Sequence, residues 1–332
     1  MKIINKYLLK YNIYILLKKI NYPINFIINY YFLKKNIYIF FIRSKAIGDN
    51  VIVTGLISQF KKNTNSKIYL FTNAVDVFLN NPNISKLVNL LDKPYLYFLF
   101  KLLEGQRVIE MNSNTYPYKD IFEKLRITKN KKFNHHLAEV IGGNISQFID
   151  FKNFKNEIYF TKKELDIFQR KFENVIKNKF ALIAPFAKET YIPVRNWGHE
   201  KFQELVNLLN INWYQANTKN EKKLDNVNIL ESTTNREFFF LIKNSNFVLA
   251  NDTSLNHIAN CFNIKSFVIM SGFINKEFIE YKNTIIINRE PQIECSPCYL
   301  KDPCFRDVKY CTEDIKVEKV KEIILKKVDY IR

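Results

Sequence analysis

Residues 41–50 read Phe-Ile-Arg-Ser-Lys-Ala-Ile-Gly-Asp-Asn and join an apolar run, residues 37–43, to a helical stretch over about residues 49–62. A short, continuous apolar run is typical of a buried parallel strand. Gly48 permits close approach of the backbone, and the start of the following helix offers free N–H groups to an anion. The segment is therefore predicted to be a strand–loop–helix unit of an α/β fold.

Strands and helices are predicted to alternate along the rest of the chain. The later predicted strands are residues 67–72, 107–111, 180–184, 211–215, 227–230, 247–250 and 266–270, and the later helices are residues 199–210, 236–243, 253–261 and 312–330. Such alternation implies parallel sheets with right-handed crossovers, and ligands bind outside the carboxyl ends of their strands. A polar, Lys-rich stretch, residues 151–178, separates two such units. We therefore expect two Rossmann-like domains facing a cleft, residues 36–155 and 175–332, preceded by a basic N-terminal helical extension.

The composition is that of a globular protein, with 47% hydrophobic and 25% charged residues among 332. The formal net charge of +19 suits nucleic acid, an anionic membrane surface or an acidic substrate. Heavy use of Lys throughout the chain accounts for part of this charge. Because no RNA-binding motif, paired-His zinc finger or basic recognition helix is present, nucleic acid is not expected as a partner.

The N-terminal extension, residues 1–35, carries seven Lys and neither Asp nor Glu. Its longest uncharged run, residues 20–33, is too short to span a bilayer. Basic and aromatic side chains suit a helix lying on an anionic membrane, but the same pattern also suits a helix packed on its own domain. No secretory signal is visible, which predicts a cytoplasmic protein with reduced thiols.

Three stretches carry candidate chemistry. Asp49 follows Gly48 at the start of a helix, where a carboxylate acts either as a general base or as a helix cap. Residues 251–257 read Asn-Asp-Thr-Ser-Leu-Asn-His at another strand-to-helix junction, which suits a diphosphate or an ordinary cap with a surface histidine. Residues 185–197 place Lys188 and Arg195 in one loop, and such cations stabilise a departing diphosphate.

In order and spacing, these stretches resemble glycosyltransferase family 9, the heptosyltransferases. The matching segments are Ile47-Gly48-Asp49, Pro185 with Arg195-Asn-Trp197, Asn251 to His257, and Glu294-Cys-Ser-Pro-Cys298. The resemblance covers roughly residues 36–320. It implies a glycosyltransferase B fold and an inverting, metal-independent transfer, with the acceptor in the N-terminal domain and the nucleotide sugar in the C-terminal domain.

The resemblance also assigns roles to residues. Asp49 is expected to be the general base and Arg195 the group that neutralises the leaving diphosphate. The expected donor-binding residues are Pro185, Lys188, Asp252, Thr253, Ser254, Leu255 and His257, and the expected acceptor-binding residues are Arg43, Ser44 and Gly48. The family donor is ADP-heptose and the acceptor a lipid-linked or phosphorylated glycan, so the enzyme is expected at the cytoplasmic face of the inner membrane.

Two departures from the family pattern leave alternatives open. Ser254 and Phe186 stand where the family usually has Gly, which narrows the approach to the phosphates. The acceptor half is also short, which puts the acceptor's identity in doubt more than the reaction. The alternatives are a transferase of the same fold that uses another nucleotide sugar, and a catalytically silent, membrane-associated assembly protein.

Four cysteines, Cys295, Cys298, Cys304 and Cys311, lie within seventeen residues. Thiolates at this spacing suit a structural Zn²⁺ or iron, or they are plain structural thiols. No cofactor is expected to be required for catalysis. Cys261 is predicted to be a core residue, and His135 and His136 a solvated pair.

Overall fold

The computed structural model describes residues 30–111, 136–187, 193–216, 221–231, 233–299, 304–306, 308 and 310–329. Most of the N-terminal extension lies outside these ranges. Its last described part, residues 30–34, is helical and leads directly into the first strand.

The first half of the chain forms a four-stranded parallel sheet in the order β3-β2-β1-β4. The strands are β1 (Ile37–Ile42), β2 (Lys67–Thr72), β3 (Lys86–Asn89) and β4 (Val108–Glu110), and the helices are α1 (Ile47–Thr64), α2 (Val75–Phe78), α3 (Tyr95–Leu103) and α4 (Leu137–Gly142). Alternate residues of β1 face opposite sides, as a strand requires. Phe40 and Ile42 join the core under α1, whereas Ile39 and Phe41 join the core under α3.

The second half forms a six-stranded parallel sheet in the order β10-β9-β8-β5-β6-β7. Its strands are β5 (Ala181–Ala184), β6 (Trp213–Ala216), β7 (Asn228–Leu230), β8 (Phe247–Asn251), β9 (Lys265–Ile269) and β10 (Thr284–Ile287), and the helices from the linking stretch onward are α5 (Lys162–Lys171), α6 (Glu173–Ile176), α7 (His199–Leu208), α8 (Asn235–Asn244), α9 (Ser254–Cys261), α10 (Tyr310–Glu313) and α11 (Val317–Lys327). This is the doubly wound Rossmann order. Successive strands are added on one side of β5 up to β7 and on its other side from β8 onward, so the strand order reverses between β5 and β8. The predicted fold class of two Rossmann-like sheets is confirmed.

The predicted strands are found within two residues of their expected bounds, but β3 and β10 were missed. Both are edge strands of four residues, and most of their side chains are only half-buried. Runs of only four residues are too short to show a strand period. The final predicted helix is divided into α10 and α11, because the backbone is extended at Lys316.

Helices α1 and α9 pack directly against one another and join the two halves of the chain. Their apolar side chains belong to one continuous core that reaches both sheets. The linking stretch also lies close to α1, because Gly55 has no side chain. A methyl group at Gly55 would overlap the backbone carbonyl of Lys155 and lie 2.9 Å from the ring of Phe154.

The stretch between the two halves, predicted to be a polar linker, is partly wedged between α1 and α9. Asn156 is fully buried, and its backbone N–H donates to Asn260 Oδ1 of α9 at 2.8 Å. The next N–H, that of Glu157, donates to Thr54 Oγ1 of α1 at 2.8 Å. The linker thus contributes polar contacts that hold the helices in register.

Arg236 at the start of α8 forms a second connection between the halves. Its buried guanidinium donates to Glu164 Oε1 at 3.1 Å, to the carbonyl of Asp76 at 3.2 Å and to the carbonyl of Tyr159. Asp76 belongs to α2, so this arginine reaches the first sheet's layer from the second. Its cation also lies over the ring of Phe160, 4.4 Å from the centroid.

Gly55→Ala tests the close approach at this interface. The added methyl group must push the Lys155 backbone away from α1, and overpacking of this kind costs about 1–3 kcal/mol. We expect urea denaturation to show a loss of that size. Lys62→Ala, at an exposed position of the same helix, should change the free energy of unfolding by less than about 0.5 kcal/mol. Equal stability of the two variants would show that α1 does not approach the linker so closely.

Candidate active site

The strands β5 and β8 end side by side, with Ala184 opposite Ala250. The loops that follow them are held together by Asn251, which is fully buried. Its side-chain Nδ2 donates to the carbonyl of Pro185 at 2.7 Å, and its Oδ1 accepts from the backbone N–H of Trp197 at 3.0 Å. Both loops therefore emerge at the point of the sheet where doubly wound proteins bind ligands.

The segment Arg195-Asn-Trp197 contains two anchoring residues. The indole of Trp197 is buried and donates to the carbonyl of Ile315 at 2.8 Å. Asn196 Oδ1 accepts from the backbone N–H of Ala187 at 2.7 Å. These bonds position the third residue, Arg195, above the loop that follows β8.

Arg195, in the loop after β5, contacts Asp252, in the loop after β8. Its Nη1 donates to the backbone carbonyl of Asp252 at 3.0 Å and lies 3.6 Å from Oδ2 of the same residue. Its Nε is buried and has no hydrogen-bond partner among the described residues. An unpaired buried donor is costly, and a ligand with acceptor oxygens would satisfy it.

Helix α9 begins next to this guanidinium. Thr253 occupies the N-cap position, but its side chain does not cap the helix, and its buried Oγ1 has no partner in the described part of the chain. The first N–H groups of a helix attract anions. Thr253, the start of α9 and Arg195 therefore form a set of donors suited to a phosphate group.

The first turn of α1 lies against the first turn of α9. A β-carbon placed on Gly48 would lie 3.1 Å from Cδ2 of His257 and 3.6 Å from the α-carbon of Ser254. Asp49 is half-buried in the same turn, and Ala46, not Asp49, occupies the N-cap position. The place of Asp49 in the first turn is compatible with both roles considered for it, general base and stabilisation of the helix start. The expected base and the expected donor residues meet at one junction.

His257 is buried, and its protonation is set by its neighbours. Burial, and then the positive charge of Arg195, lowers its pKa to about 4, so the ring is neutral at pH 7. Tyr281 Oη lies 2.7 Å from Nδ1 and accepts from Asn156 Nδ2 at 3.1 Å. Tyr281 therefore connects Asn156 of the linking stretch to the ring of His257.

Tyr281 and Asn156 were not singled out from the sequence, since neither lies in a recognisable motif.

His136 differs from the prediction that it is solvated. Its Nδ1 accepts from the backbone N–H of Ala138 at 3.1 Å, and its ring packs edge-on to Tyr281 with the centroids 4.8 Å apart. Burial, and then the neighbouring His257, lowers its pKa to about 3. The prediction of a solvated pair is wrong for His136, and His135 lies outside the described residues.

The other expected site residues occupy varied places. Arg43 lies over the ring of Tyr97, 5.0 Å from its centroid, and Ser44 Oγ accepts from the N–H of Ala46 at 3.1 Å, so both shape the loop before α1. Leu255 packs in the main core. Phe186 stacks on His199, with the centroids 5.7 Å apart. Lys188 lies outside the described residues.

The four clustered cysteines line one small cavity beside Gly272. Burial raises the pKa of the Cys311 thiol. Among the described residues, no three His, Cys, Asp or Glu side chains converge closely enough to bind one metal ion. Cys261 is buried in the main core, as predicted.

Two Rossmann-type sheets, with buried donors at the switch point of one and a carboxylate at the facing junction of the other, match the arrangement expected of a two-domain glycosyltransferase. The model of glycosyltransferase family 9 (heptosyltransferase) matches residues 99–307, and the chain belongs to this family. Among curated protein sequences, none is significantly similar to it.

Solved structures share the fold at low sequence identity. A family 9 glycosyltransferase from Veillonella parvula superposes with a TM-score of 0.60 at 12% identity, covering 87% of this chain and 96% of the other. The E. coli heptosyltransferase WaaC with ADP gives 0.55 at 11% identity, covering 88% and 100%. The iron-containing heptosyltransferase TibC, from enterotoxigenic E. coli and in complex with ADP-D-beta-D-heptose, gives 0.61 at 13% identity, covering 87% and 75%.

The lowered pKa values of His257 and His136 generate a pH prediction. An unfolded histidine has a pKa of about 6.5, so between about pH 6.5 and 4 the unfolded chain binds protons that the folded chain excludes. Stability therefore falls as the pH falls through this window, by about 1.4 kcal/mol per pH unit for each histidine. Urea denaturation from pH 7 to 4 should show this fall, and His257→Gln should make it shallower. An equal slope in the wild type and the variant would mean that His257 keeps its ordinary pKa.

Proposed function

We propose that this chain transfers heptose from ADP-heptose to a hydroxyl group of a lipid-linked or phosphorylated surface glycan, with inversion at the anomeric carbon. The proposal assigns the acceptor to residues 36–155 and the donor to residues 175–332. The observation that carries it is the meeting of the α1 and α9 N-termini, with Gly48 directly against Ser254 and His257.

In the proposed reaction, Asp49 takes the proton of the acceptor hydroxyl as its oxygen attacks the anomeric carbon of the heptose. The bond between that carbon and the diphosphate oxygen breaks, and ADP leaves with the bonding electrons. Arg195 and the start of α9 stabilise the negative charge that develops on the leaving group. These groups supply positive charge without a divalent ion, so transfer is proposed to be metal-independent.

The donor is proposed from two kinds of support. The switch point offers Thr253 Oγ1 and Arg195 Nε, two buried polar atoms that a diphosphate would satisfy. Family members of the same fold have been solved with ADP and with ADP-D-beta-D-heptose. A transferase of another nucleotide sugar and a silent assembly protein are the rival proposals, and ligand binding separates them.

Calorimetry of the purified protein against ADP-heptose, UDP-sugars and GDP-sugars tests the donor. We expect selective binding of ADP-heptose, weakened roughly tenfold or more in Arg195→Ala because a charge-assisted contact is lost. Arg170→Ala removes an equal charge from exposed surface and serves as the matched control. Selective binding of another nucleotide sugar would replace the donor, and binding of none would favour the assembly protein.

Asp49→Asn tests the general base, because the amide keeps the shape of the side chain and cannot accept the proton. Transfer should fall by about 10²–10⁴-fold, while ADP-heptose binding should stay within about threefold of wild type. Asp225→Asn, at an exposed position of the other domain, is the control. Turnover in Asp49→Asn close to that of the wild type would remove Asp49 from the mechanism.

The cysteines are proposed to be structural rather than catalytic. Among the described residues the thiols share a cavity without three of them converging on one point, and no step of the proposed reaction passes through them. Gly272 lets Ser296 and Cys311 lie close to the backbone, since a β-carbon there would lie 2.9 Å from Oγ of Ser296 and 3.3 Å from Cβ of Cys311. Elemental analysis of the purified protein separates packed thiols from bound zinc or iron.

The enzyme is further proposed to work at the cytoplasmic face of the inner membrane, where a lipid-linked acceptor is presented. The basic extension, residues 1–35, supports this location through its seven Lys and lack of acidic residues.

A further inference from the structure

The outer layer of the four-stranded sheet has an apolar surface that faces solvent. Helix α3 packs inward through Phe100, whose ring lies 4.6 Å from that of Phe71 and 5.6 Å from that of Phe41. Residues 30–34 belong to the same layer, since Phe32 packs on the same core. We define the apolar face by its strongly exposed side chains, which are Tyr30, Tyr31, Leu33, Leu91, Tyr95, Phe98 and Leu99.

The exposure of this face is systematic rather than scattered. Tyr95, Phe98 and Leu99 follow helical spacing on the outward side of α3 and are 63%, 67% and 43% exposed. Lys101 is the only charged residue of α3, and it is turned aside to Glu110 at 2.7 Å and Glu104 at 3.0 Å. The outward row of the helix therefore carries no charge, which is unusual for a surface in contact with water.

The surroundings of the apolar face are basic. Lys34, Lys35 and Lys93 are exposed beside it, and the one exposed carboxylate of the α2–α3 connection near it, Asp92, accepts a hydrogen bond from Asn89 at 3.2 Å. Five further Lys and no acidic residue lie in the 29 residues that precede Tyr30. Tyrosines on an apolar face with lysines at its rim match the interface of a bilayer that contains anionic lipids.

We propose that the apolar face inserts into an anionic lipid bilayer, as a docking surface that α3 forms together with the last residues of the N-terminal extension. None of the described helices is long and apolar enough to cross a bilayer, and a helix of nine residues lying flat needs only to bury one side. Tyr97 of this helix lies under Arg43, in the loop that leads to Gly48 and Asp49. Docking would thus bring the expected acceptor loop to the lipid surface. Delivery of the acceptor loop to the lipid rests on the proposed function, whereas binding of the apolar face to the bilayer does not.

Sedimentation with vesicles of phosphatidylglycerol and phosphatidylcholine tests the proposal on the full chain. The double variant Phe98→Ser/Leu99→Ser should bind roughly tenfold more weakly or worse, because two apolar side chains no longer enter the bilayer. Leu208→Ser, at a comparably exposed leucine of α7 in the other domain, should bind like the wild type. Transfer to a delipidated, soluble acceptor should be unchanged in both.

A second measurement does not depend on loss of binding. The chain has two tryptophans, Trp197 and Trp213, and both are buried in the domain of the second sheet. Brominated lipids should therefore quench the added fluorophore of Phe98→Trp and leave the wild-type emission almost unchanged.

Three outcomes would overturn the proposal. The first is wild-type vesicle binding by the double variant, and the second is absence of quenching in Phe98→Trp. The third is a change of oligomeric state with vesicle binding intact, which would make the face a contact between protein copies. Failure of the wild type to transfer heptose would instead refute the proposed function and leave the vesicle results standing.

Discussion

The contact between α1 and α9 is the constraint on which the rest of the structure depends. Helix α1 follows β1 and helix α9 follows β8, so each N-terminus lies at the carboxyl edge of a parallel sheet. Close approach to α9 is possible because Gly48 of α1 has no side chain, and Gly55 of the same helix admits the linking stretch at Lys155. A single packing interaction therefore brings the carboxyl edges of two sheets together.

The buried polar residues beside this contact connect the packing of α1 and α9 to the candidate site. Asn156 donates to the carbonyl of His257 at 3.0 Å as well as to the hydroxyl of Tyr281. The linker that sets the spacing of α1 and α9 thus also holds Tyr281 against the ring of the histidine beside Gly48. Polar contacts are strong in an apolar interior, which ties the geometry of the site to the packing of the domains.

Much of this arrangement follows from local sequence. Buried strands such as β5 and β8 are continuous apolar runs, and residues 47–49 and 251–257 mark strand-to-helix junctions, so the fold and the candidate site could both be predicted. What could not be predicted lies outside such patterns. β3 and β10 are four-residue strands, too short to show a period, and Tyr281 acts through a contact that spans 24 residues. Burial of Asn156 within the polar linker could not be predicted, because its partners Asn260, His257 and Tyr281 lie far away in the chain.

The two helical layers of the four-stranded sheet differ in how much of their surface is buried. The inner layer, α1, has nine buried residues in eighteen and must be apolar because the other domain covers it. The outer layer, α3, buries only two residues in nine, yet it carries a single charged residue, Lys101. Folding within the described chain explains the first pattern and not the second. Insertion into a lipid surface, as proposed, would supply the apolar surroundings that the described residues do not, and it would do so in the domain to which the acceptor is assigned.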